Sequence, residues 1–73
     1  MYDLSERFKA VRKEKRLTQK QVATGIGVAE QQYQKYEYGE RVPSALVLIA
    51  LADYFGVSID YLVGRTDNLE VNR

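Results

Sequence analysis

The sequence contains no cysteine and no histidine, and this absence limits both how the chain can fold and what chemistry it can carry. Disulfide bridges and metal sites built from thiolates or imidazoles are excluded, so packed side chains must hold the core together. A length of 73 residues allows one small domain. Because the sequence also lacks a phosphate-cradling glycine loop and a recognisable pair of catalytic carboxylates, we predict that the protein is not an enzyme and needs no cofactor or metal.

Long apolar segments are missing as well. No run of apolar residues approaches the roughly 20 that are needed to cross a bilayer, and the first five residues lack the basic and then apolar pattern of a signal peptide. We therefore expect a cytoplasmic protein that is neither secreted nor bound to a membrane.

The net charge of +1 says little, but the distribution of charge is uneven. Residues 1–43 carry 9 basic and 6 acidic side chains, whereas residues 44–73 carry 2 basic and 4 acidic ones. Seven of the basic residues lie between Arg7 and Lys20, with Glu14 as the single acidic residue among them. This pattern is typical of a surface that meets an anion, although a solvated helix face would show it too.

Apolar spacing and capping residues predict two helices in the first third of the chain. An amphipathic helix is expected between Leu4 and Arg16, with Asp3 as its cap and one inward stripe formed by Leu4, Phe8 and Val11. Thr18 followed three residues later by Gln21 is a capping-box pattern and begins the second helix. Gly27 ends it, because glycine accepts the left-handed conformation that closes a helix.

Three further helices are expected after this glycine. The third runs from Ala29 to about Glu37 and is followed by a loop that ends at Pro43. Ser44 caps a fourth helix that ends at Gly56. A short fifth helix spans residues 59–63 and is closed by Gly64. No strand signal of convincing length is present, so the predicted fold is all-α.

The second and third helices are joined by a very short turn containing glycine, so they must cross steeply, as in a helix-turn-helix. Ala23 supplies the small side chain that the crossing requires, and Gly27 permits the turn. Tyr33 and Tyr36 anchor the third helix. Together with Gln19, these residues lie at spacings of four, four, six and three.

On these residues, the segment LTQKQVATGIGVAEQQYQKYEYGERVP at 17–43 resembles the phage-repressor and Cro family of helix-turn-helix proteins, also called the XRE family. The segment GVSIDYLVG at 56–64 is similar to the usual ending of that family. The resemblance implies a compact, five-helix, lambda-repressor-like DNA-binding domain. It also implies a sequence-specific transcriptional regulator, a repressor, whose helix 29–37 enters the major groove of double-stranded DNA.

The resemblance covers roughly 60 residues and places the domain at 1–64, with the helix-turn-helix at about 18–37 and a polar tail at 65–73. Two residues depart from the family pattern. Ala29 stands where relatives carry a Ser or Thr cap, which removes a contribution of about 1 kcal/mol. Tyr33 replaces a small aliphatic residue, so its hydroxyl is expected to find a partner or to reach the surface.

Four side chains of the third helix are predicted to contact base edges, namely Glu30, Gln31, Gln34 and Lys35. Gln31 can pair with adenine, Lys35 can reach the acceptors of guanine, and Glu30 can accept a hydrogen bond from cytosine. Glu30 has an alternative role as an acidic partner of the helix dipole in the first turn.

Contacts to the DNA backbone are predicted for Thr18, Gln19, Lys20, Ala29, Gln32 and Arg41. A helix N-terminus favours a phosphate, which supports the first two. Gln19 could instead serve only as a capping residue. The charged members, and Lys13 and Arg16 beside them, could equally be solvated side chains. The resemblance further implies a structural salt bridge between Arg12 and Glu37, against the alternative of two unrelated surface charges.

The eight residues 45–52 are all apolar, which is more than one helix can bury in a small domain. We expect a core built from Leu48, Leu51, Ala52, Phe55, Val57, Ile59 and Leu62. The remaining stripe is predicted to form a homodimer interface through Leu46, Val47, Ala50 and Tyr54. Alternatively, the tail could cover this stripe with Leu69 and Val71. The same stripe leaves a second function open, that of an antitoxin-type module that binds a partner protein, with DNA binding secondary.

Overall fold

The structure is a computed structural model that describes residues 4–64. Five helices make up the fold: α1 (Leu4–Glu14), α2 (Gln19–Ile26), α3 (Glu30–Glu37), α4 (Ala45–Phe55) and α5 (Ile59–Leu62). The prediction of an all-α, five-helix fold is therefore confirmed. None of these helices is long and apolar enough to span a membrane. The predicted cap Asp3 and the tail 65–73 lie outside the described residues.

Local signals in the sequence set the ends of α2 as predicted. Thr18 Oγ1 accepts a hydrogen bond from the backbone N–H of Gln21 at 3.0 Å, and Gln21 Oε1 accepts one from the backbone N–H of Thr18 at 2.8 Å. At the other end Gly27 has a φ of 79°, and its N–H donates to the carbonyls of Ala23 and Thr24. The turn to α3 follows at once, and Ala29 begins α3 without a side-chain cap.

The first helix ends at Glu14, two residues before the predicted end at Arg16. Arg16 itself adopts a φ of 58°, a left-handed conformation that is uncommon for a residue with a side chain. The N–H of Leu17 then donates to the carbonyl of Arg12 at 3.1 Å, which closes the helix and redirects the chain towards α2. Sequence signals for helix ends favour glycine, so this closure by arginine was missed.

The core lies between all five helices, and its fully buried members match most of the predicted set: Phe8, Val11, Val22, Ala23, Tyr33, Tyr36, Leu51, Ala52, Phe55, Val57 and Leu62. Leu48 is only half-buried but packs against this cluster. The prediction for Ile59 was wrong, because its side chain is 42% exposed. It is the first residue of the single turn of α5, which is anchored instead by Val57 and Leu62.

The second helix is supported on two sides, because it packs against both α3 and α4. On the α4 side, the ring of Tyr54 lies directly against the Cα of Gly25, in space that a β-carbon would occupy. The first helix packs against α3 and α5, and the guanidinium of Arg7 lies 4.4 Å from the centre of the Tyr61 ring. These contacts hold α3 at the edge of the domain, with one face packed and one face open.

Candidate nucleic-acid interface

The third helix divides into a buried face and an open face. Tyr33 and Tyr36 are buried, with their rings edge to face at a centroid distance of 6.5 Å. Gln31 and Lys35 are exposed on the opposite face, and Glu30 is exposed in the first turn, where it lines a groove with Thr18 and Gln19 of the α2 N-terminus. Three of the four predicted base-reading side chains are thus exposed. The fourth, Gln34, is half-buried at the side of the helix that faces α2.

Arg12 and Glu37 form an ion pair that ties α1 to the end of α3. Arg12 Nε lies 2.5 Å from Glu37 Oε2, and Nη2 lies 3.1 Å from Oε1, so the guanidinium meets the carboxylate with two donors. Its remaining group Nη1 donates to the backbone carbonyl of Leu17 at 2.8 Å. Only 1% of the Glu37 side chain is exposed. Arg12 therefore fixes α1, the turn before α2 and the end of α3 relative to each other.

Burial by itself would raise the pKa of the Glu37 carboxyl. Hydrogen bonds outweigh this effect, those from Arg12 most strongly, and the net result is a pKa below the ordinary value of 4.5. Glu37 is therefore a carboxylate at neutral pH and can only accept hydrogen bonds.

The hydroxyl of Tyr33 is enclosed beside this ion pair, and within residues 4–64 no group is aligned to make a hydrogen bond with it, so the expectation that it would find a partner or reach the surface was wrong. Burial, followed by the nearby Glu37 carboxylate, raises the pKa of this hydroxyl well above its ordinary range. The ring itself is completely buried in the core, and the hydroxyl is therefore shielded from solvent near the Glu37 carboxylate.

A chain of amide groups extends from the ion pair to the first turn of α3. Gln19 Nε2 donates to Glu37 Oε1 at 3.2 Å. Gln34 Nε2 in turn lies 3.2 Å from Gln19 Oε1 and 3.5 Å from Glu30 Oε2. The start of α2 is thus linked through side chains to both ends of α3.

The side chains predicted to meet the DNA backbone lie at the start of α2, at the start of α3, where Ala29 is exposed, and in the loop after α3. Thr18, Lys20 and Arg41 are exposed, and Gln19 is half-buried with one amide proton beyond the one it gives to Glu37. Gln32 is half-buried and donates to the Tyr36 hydroxyl at 2.7 Å, so it supports α3 from within the domain.

A groove of about 540 Å³ runs past the N-terminus of α2 and brings together three lysines, namely Lys9, Lys13 and Lys20. Thr18 and Gln19 also line this groove. Lys9 was not singled out from the sequence, although it precedes Lys13 by four residues and so lies on the same face of α1. The groove carries three cationic side chains beside the N-terminus of a helix, and the exposed Glu30 also lines it. Lysines beside a helix N-terminus are a combination that favours phosphate.

The fourth helix carries an exposed apolar stripe, and its member Tyr54 shares a shallow pocket with Thr18 and Lys20, two residues that also line this groove. Leu46, Ile49 and Tyr54 are 79%, 43% and 38% exposed. Val47, which was assigned to this stripe, is half-buried and packs against the core, and Ala50 is half-buried. Ile49 takes the place of Val47, because it follows Leu46 by three residues and so lies beside it on the exposed side of the helix.

Comparison with known proteins identifies the family. A helix-turn-helix family model matches residues 8–62, which is most of the chain. The chain belongs to the helix-turn-helix family. Within this family it is similar to an uncharacterised HTH-type transcriptional regulator, YqaE of Bacillus subtilis, with 39% identity over 67 residues. That alignment covers 92% of this chain and 58% of YqaE.

A second relative is the cryptic phage CTXphi transcriptional repressor RstR of Vibrio cholerae, which is 42% identical over 62 residues and aligned over 85% of this chain and 55% of its own length. The helix-turn-helix chain thus spans little more than half the length of these curated relatives. Among solved structures, the P22 c2 repressor in complex with a synthetic operator superimposes with a TM-score of 0.80 and 28% identity, covering 86% of this chain and 96% of the repressor chain. The similarity confirms the lambda-repressor-like fold that the sequence predicted.

Proposed function

We propose that this helix-turn-helix chain binds double-stranded DNA as a sequence-specific transcriptional regulator, with α3 in the major groove. The observation that carries the proposal is the division of α3: Tyr33 and Tyr36 fix it to the core, and Glu30, Gln31 and Lys35 are exposed. These are side chains that can pair with base edges. A structural neighbour, the P22 c2 repressor, was solved together with an operator.

Affinity is proposed to come from the groove at the start of α2 and from the loop after α3. Lys9, Lys13, Lys20 and Arg41 supply positive charge, and Gln19 retains a proton for a phosphate oxygen. Contacts to the DNA backbone are also proposed for Thr18, which lines this groove, and for Ala29 and Gln32 at the start of α3. Gln32 is also the donor to Tyr36, so its contact is the most peripheral of these.

The finer assignments are part of the proposal. A repressor is favoured by the names of relatives such as RstR. A homodimer is favoured by the exposed stripe on α4, because two half-sites extend both the DNA sequence that is recognised and the affinity. A cytoplasmic location and the lack of enzymatic activity fit a regulator that acts on DNA.

A titration of DNA duplexes tests the proposal. Duplexes selected from a random-sequence library should bind more tightly than scrambled duplexes of the same composition, and the affinity should fall steeply as salt rises. Fluorescence anisotropy at several salt concentrations measures both effects. Failure to bind any duplex in a salt-dependent way would refute DNA binding.

Sedimentation tests the homodimer. The chain should associate at micromolar concentrations, and the double substitution Leu46→Glu and Ile49→Glu should return it to a monomer because the stripe becomes charged. A wild-type chain that remains monomeric at high micromolar concentration would contradict the interface on α4.

A partner-binding module is the second candidate, and the observation that favours it is the same apolar stripe of Leu46, Ile49 and Tyr54. Such a module would bind a different protein through α4 and would use α3 little. A wild-type chain that shows no salt-sensitive binding to DNA, and stays monomeric on its own, would favour this function over the first.

A further inference from the structure

Gln34 occupies an unusual place among the polar residues of α3. It is half-buried, and its amide nitrogen is within hydrogen-bonding distance of two oxygens, Gln19 Oε1 at 3.2 Å and Glu30 Oε2 at 3.5 Å. Gln31 and Lys35, by contrast, are exposed. A side chain whose donors already face two neighbours inside the protein is poorly placed to pair with a base by itself.

The direction of the hydrogen bonds follows from the ion pair. The Glu37 carboxylate can only accept, so Gln19 must turn its amide nitrogen towards Glu37 and its oxygen towards Gln34. Gln34 must then present its nitrogen to that oxygen. The same NH₂ group has a second proton, and the nearest carboxylate to receive it is Glu30. The orientation of each amide is thus determined by Arg12 and Glu37, which lie at the far end of the chain of contacts.

We propose that Gln34 is a positioning residue, which orients the Glu30 carboxylate so that Glu30 selects cytosine in the major groove. This inference rests on the proposed DNA-binding function and deepens it. With Oε2 directed towards Gln34, the exposed carboxylate keeps Oε1 to accept from the amino group of cytosine. Guanine, the partner base of cytosine, offers only acceptors in the groove, so a carboxylate opposite it is repelled.

The structure also explains how an acidic residue can serve at a surface that meets phosphates. A free carboxylate in the first turn of a helix can adopt many rotamers, including ones that face the DNA backbone. The contact with Gln34 ties Glu30 to α2 through Gln19, and α2 is the element whose N-terminus is proposed to lie on the phosphates. Base selection by Glu30 and the placement of the backbone-contacting helix are therefore coupled.

The test uses the full chain and a duplex obtained from a random-sequence library. Each base pair of that duplex is changed to the other three, and the affinities are measured for the wild type, Glu30→Ala, Gln34→Ala and the double variant. Glu30→Ala should abolish a preference for cytosine at one base pair. Gln34→Ala should weaken the preference at that same pair by about tenfold, and the double variant should be no worse than Glu30→Ala alone. Glu30→Gln should shift the preference there to adenine.

The matched control is Gln31→Ala, a glutamine on the same helix with no assigned contact to Glu30. It should alter the preference at a different base pair, and its effect should add to that of Glu30→Ala. The melting temperature of every variant is measured alongside. A merely structural role for Gln34 would lower the melting temperature and weaken all duplexes equally, which would leave the ratio among the four bases unchanged.

The outcomes separate the two claims. A Gln34→Ala variant that changes the preference at a base pair of its own, additively with Glu30→Ala, would overturn the positioning role and leave DNA binding intact. Retention of the cytosine preference in Glu30→Ala would overturn it as well. A wild-type chain with no preference among duplexes and no salt dependence would instead refute the proposed function itself.

Discussion

Helices α3 and α4 both pack against α2, and their exposed faces differ in chemistry. The recognition helix α3 is anchored by an ion pair and two tyrosines and presents Glu30, Gln31 and Lys35 to its surroundings. The helix α4 is anchored by apolar packing and presents Leu46 and Ile49. A polar open face suits DNA, and an apolar one suits another protein. This difference is why we propose DNA as the partner of α3 and a protein as the partner of α4.

The ion pair of Arg12 and Glu37, called here the polar anchor, and the apolar packing of α4 also differ in how they respond to substitution. Apolar packing loses stability gradually as atoms are removed, and its cost depends on how well the site can collapse. Removal of one partner of a buried ion pair is strongly destabilising, because the other charge remains buried without compensation. Four changes in stability test this difference, and the largest is expected at the ion pair.

Replacement of Arg12 by Met should break the polar anchor. The Glu37 carboxylate would be left almost completely buried without its main partner, and the free energy of unfolding should fall by about 3 kcal/mol. Urea unfolding measures the change. The double variant Arg12→Met and Glu37→Met is the control, and it should recover much of the loss because no buried charge remains. An unchanged stability in Arg12→Met would mean that the ion pair does not anchor α3.

Acid should weaken the same anchor in the wild type. The pKa of Glu37 is lower in the folded chain than its ordinary value of 4.5, so its contribution to stability is complete above about that pH and is lost as the pH falls through the folded value. Stability should therefore decrease below pH 4.5 with an extra slope of at most about 1.4 kcal/mol per pH unit. Comparison with Glu37→Gln between pH 7 and pH 3 isolates this slope, and equal slopes in the two chains would contradict it.

Gly25→Ala tests the apolar contact between α2 and α4. Alanine favours a helix over glycine by about 1 kcal/mol, but its β-carbon would enter the space of the Tyr54 ring. The substitution should therefore stabilise the Tyr54→Ala chain by about 1 kcal/mol and the wild type by less, or not at all. A thermal unfolding cycle of the four chains gives the coupling. Equal gains in both backgrounds would show that Tyr54 does not rest on Gly25.

The smallest effect is expected for Tyr33→Phe. The ring fills the core, but its hydroxyl is enclosed without a hydrogen-bond partner. Its removal should leave the free energy of unfolding unchanged or raise it by up to about 1 kcal/mol. Urea unfolding at neutral pH is sufficient to measure this. A clear loss of stability would show that the hydroxyl donates to Glu37 and belongs to the polar anchor.

Much of the fold could be predicted because the signals are local. The Thr18 and Gln21 capping box, Gly27, Ser44 and the spacing of apolar residues fix where helices begin, end and face. The end of α1 was missed because Arg16 adopts a left-handed conformation that sequence rules assign to glycine. The place of Val47 was also missed, since an all-apolar helix does not reveal which of its sides meets the core.

The sequence named the candidate residues and one of the contacts among them, and it did not show the other contacts. Helical spacing placed Gln31 and Lys35 outward, and the family resemblance supplied the pair of Arg12 and Glu37. The link from Glu37 through Gln19 to Gln34 joins residues 18 and 15 positions apart in the chain, and it depends on the crossing angle of two helices. Periodicity within one helix carries no information about such a contact.

The central claim is that α3 and the start of α2 meet DNA and that α4 does not. Backbone amide NMR of the chain, titrated with a duplex from the random-sequence selection, tests it most directly. We expect large shift changes at residues 18–20, residues 30–35 and Arg41, with little change at Leu46 and Ile49. Shift changes that centre on the stripe and leave residues 30–35 unaffected would contradict it.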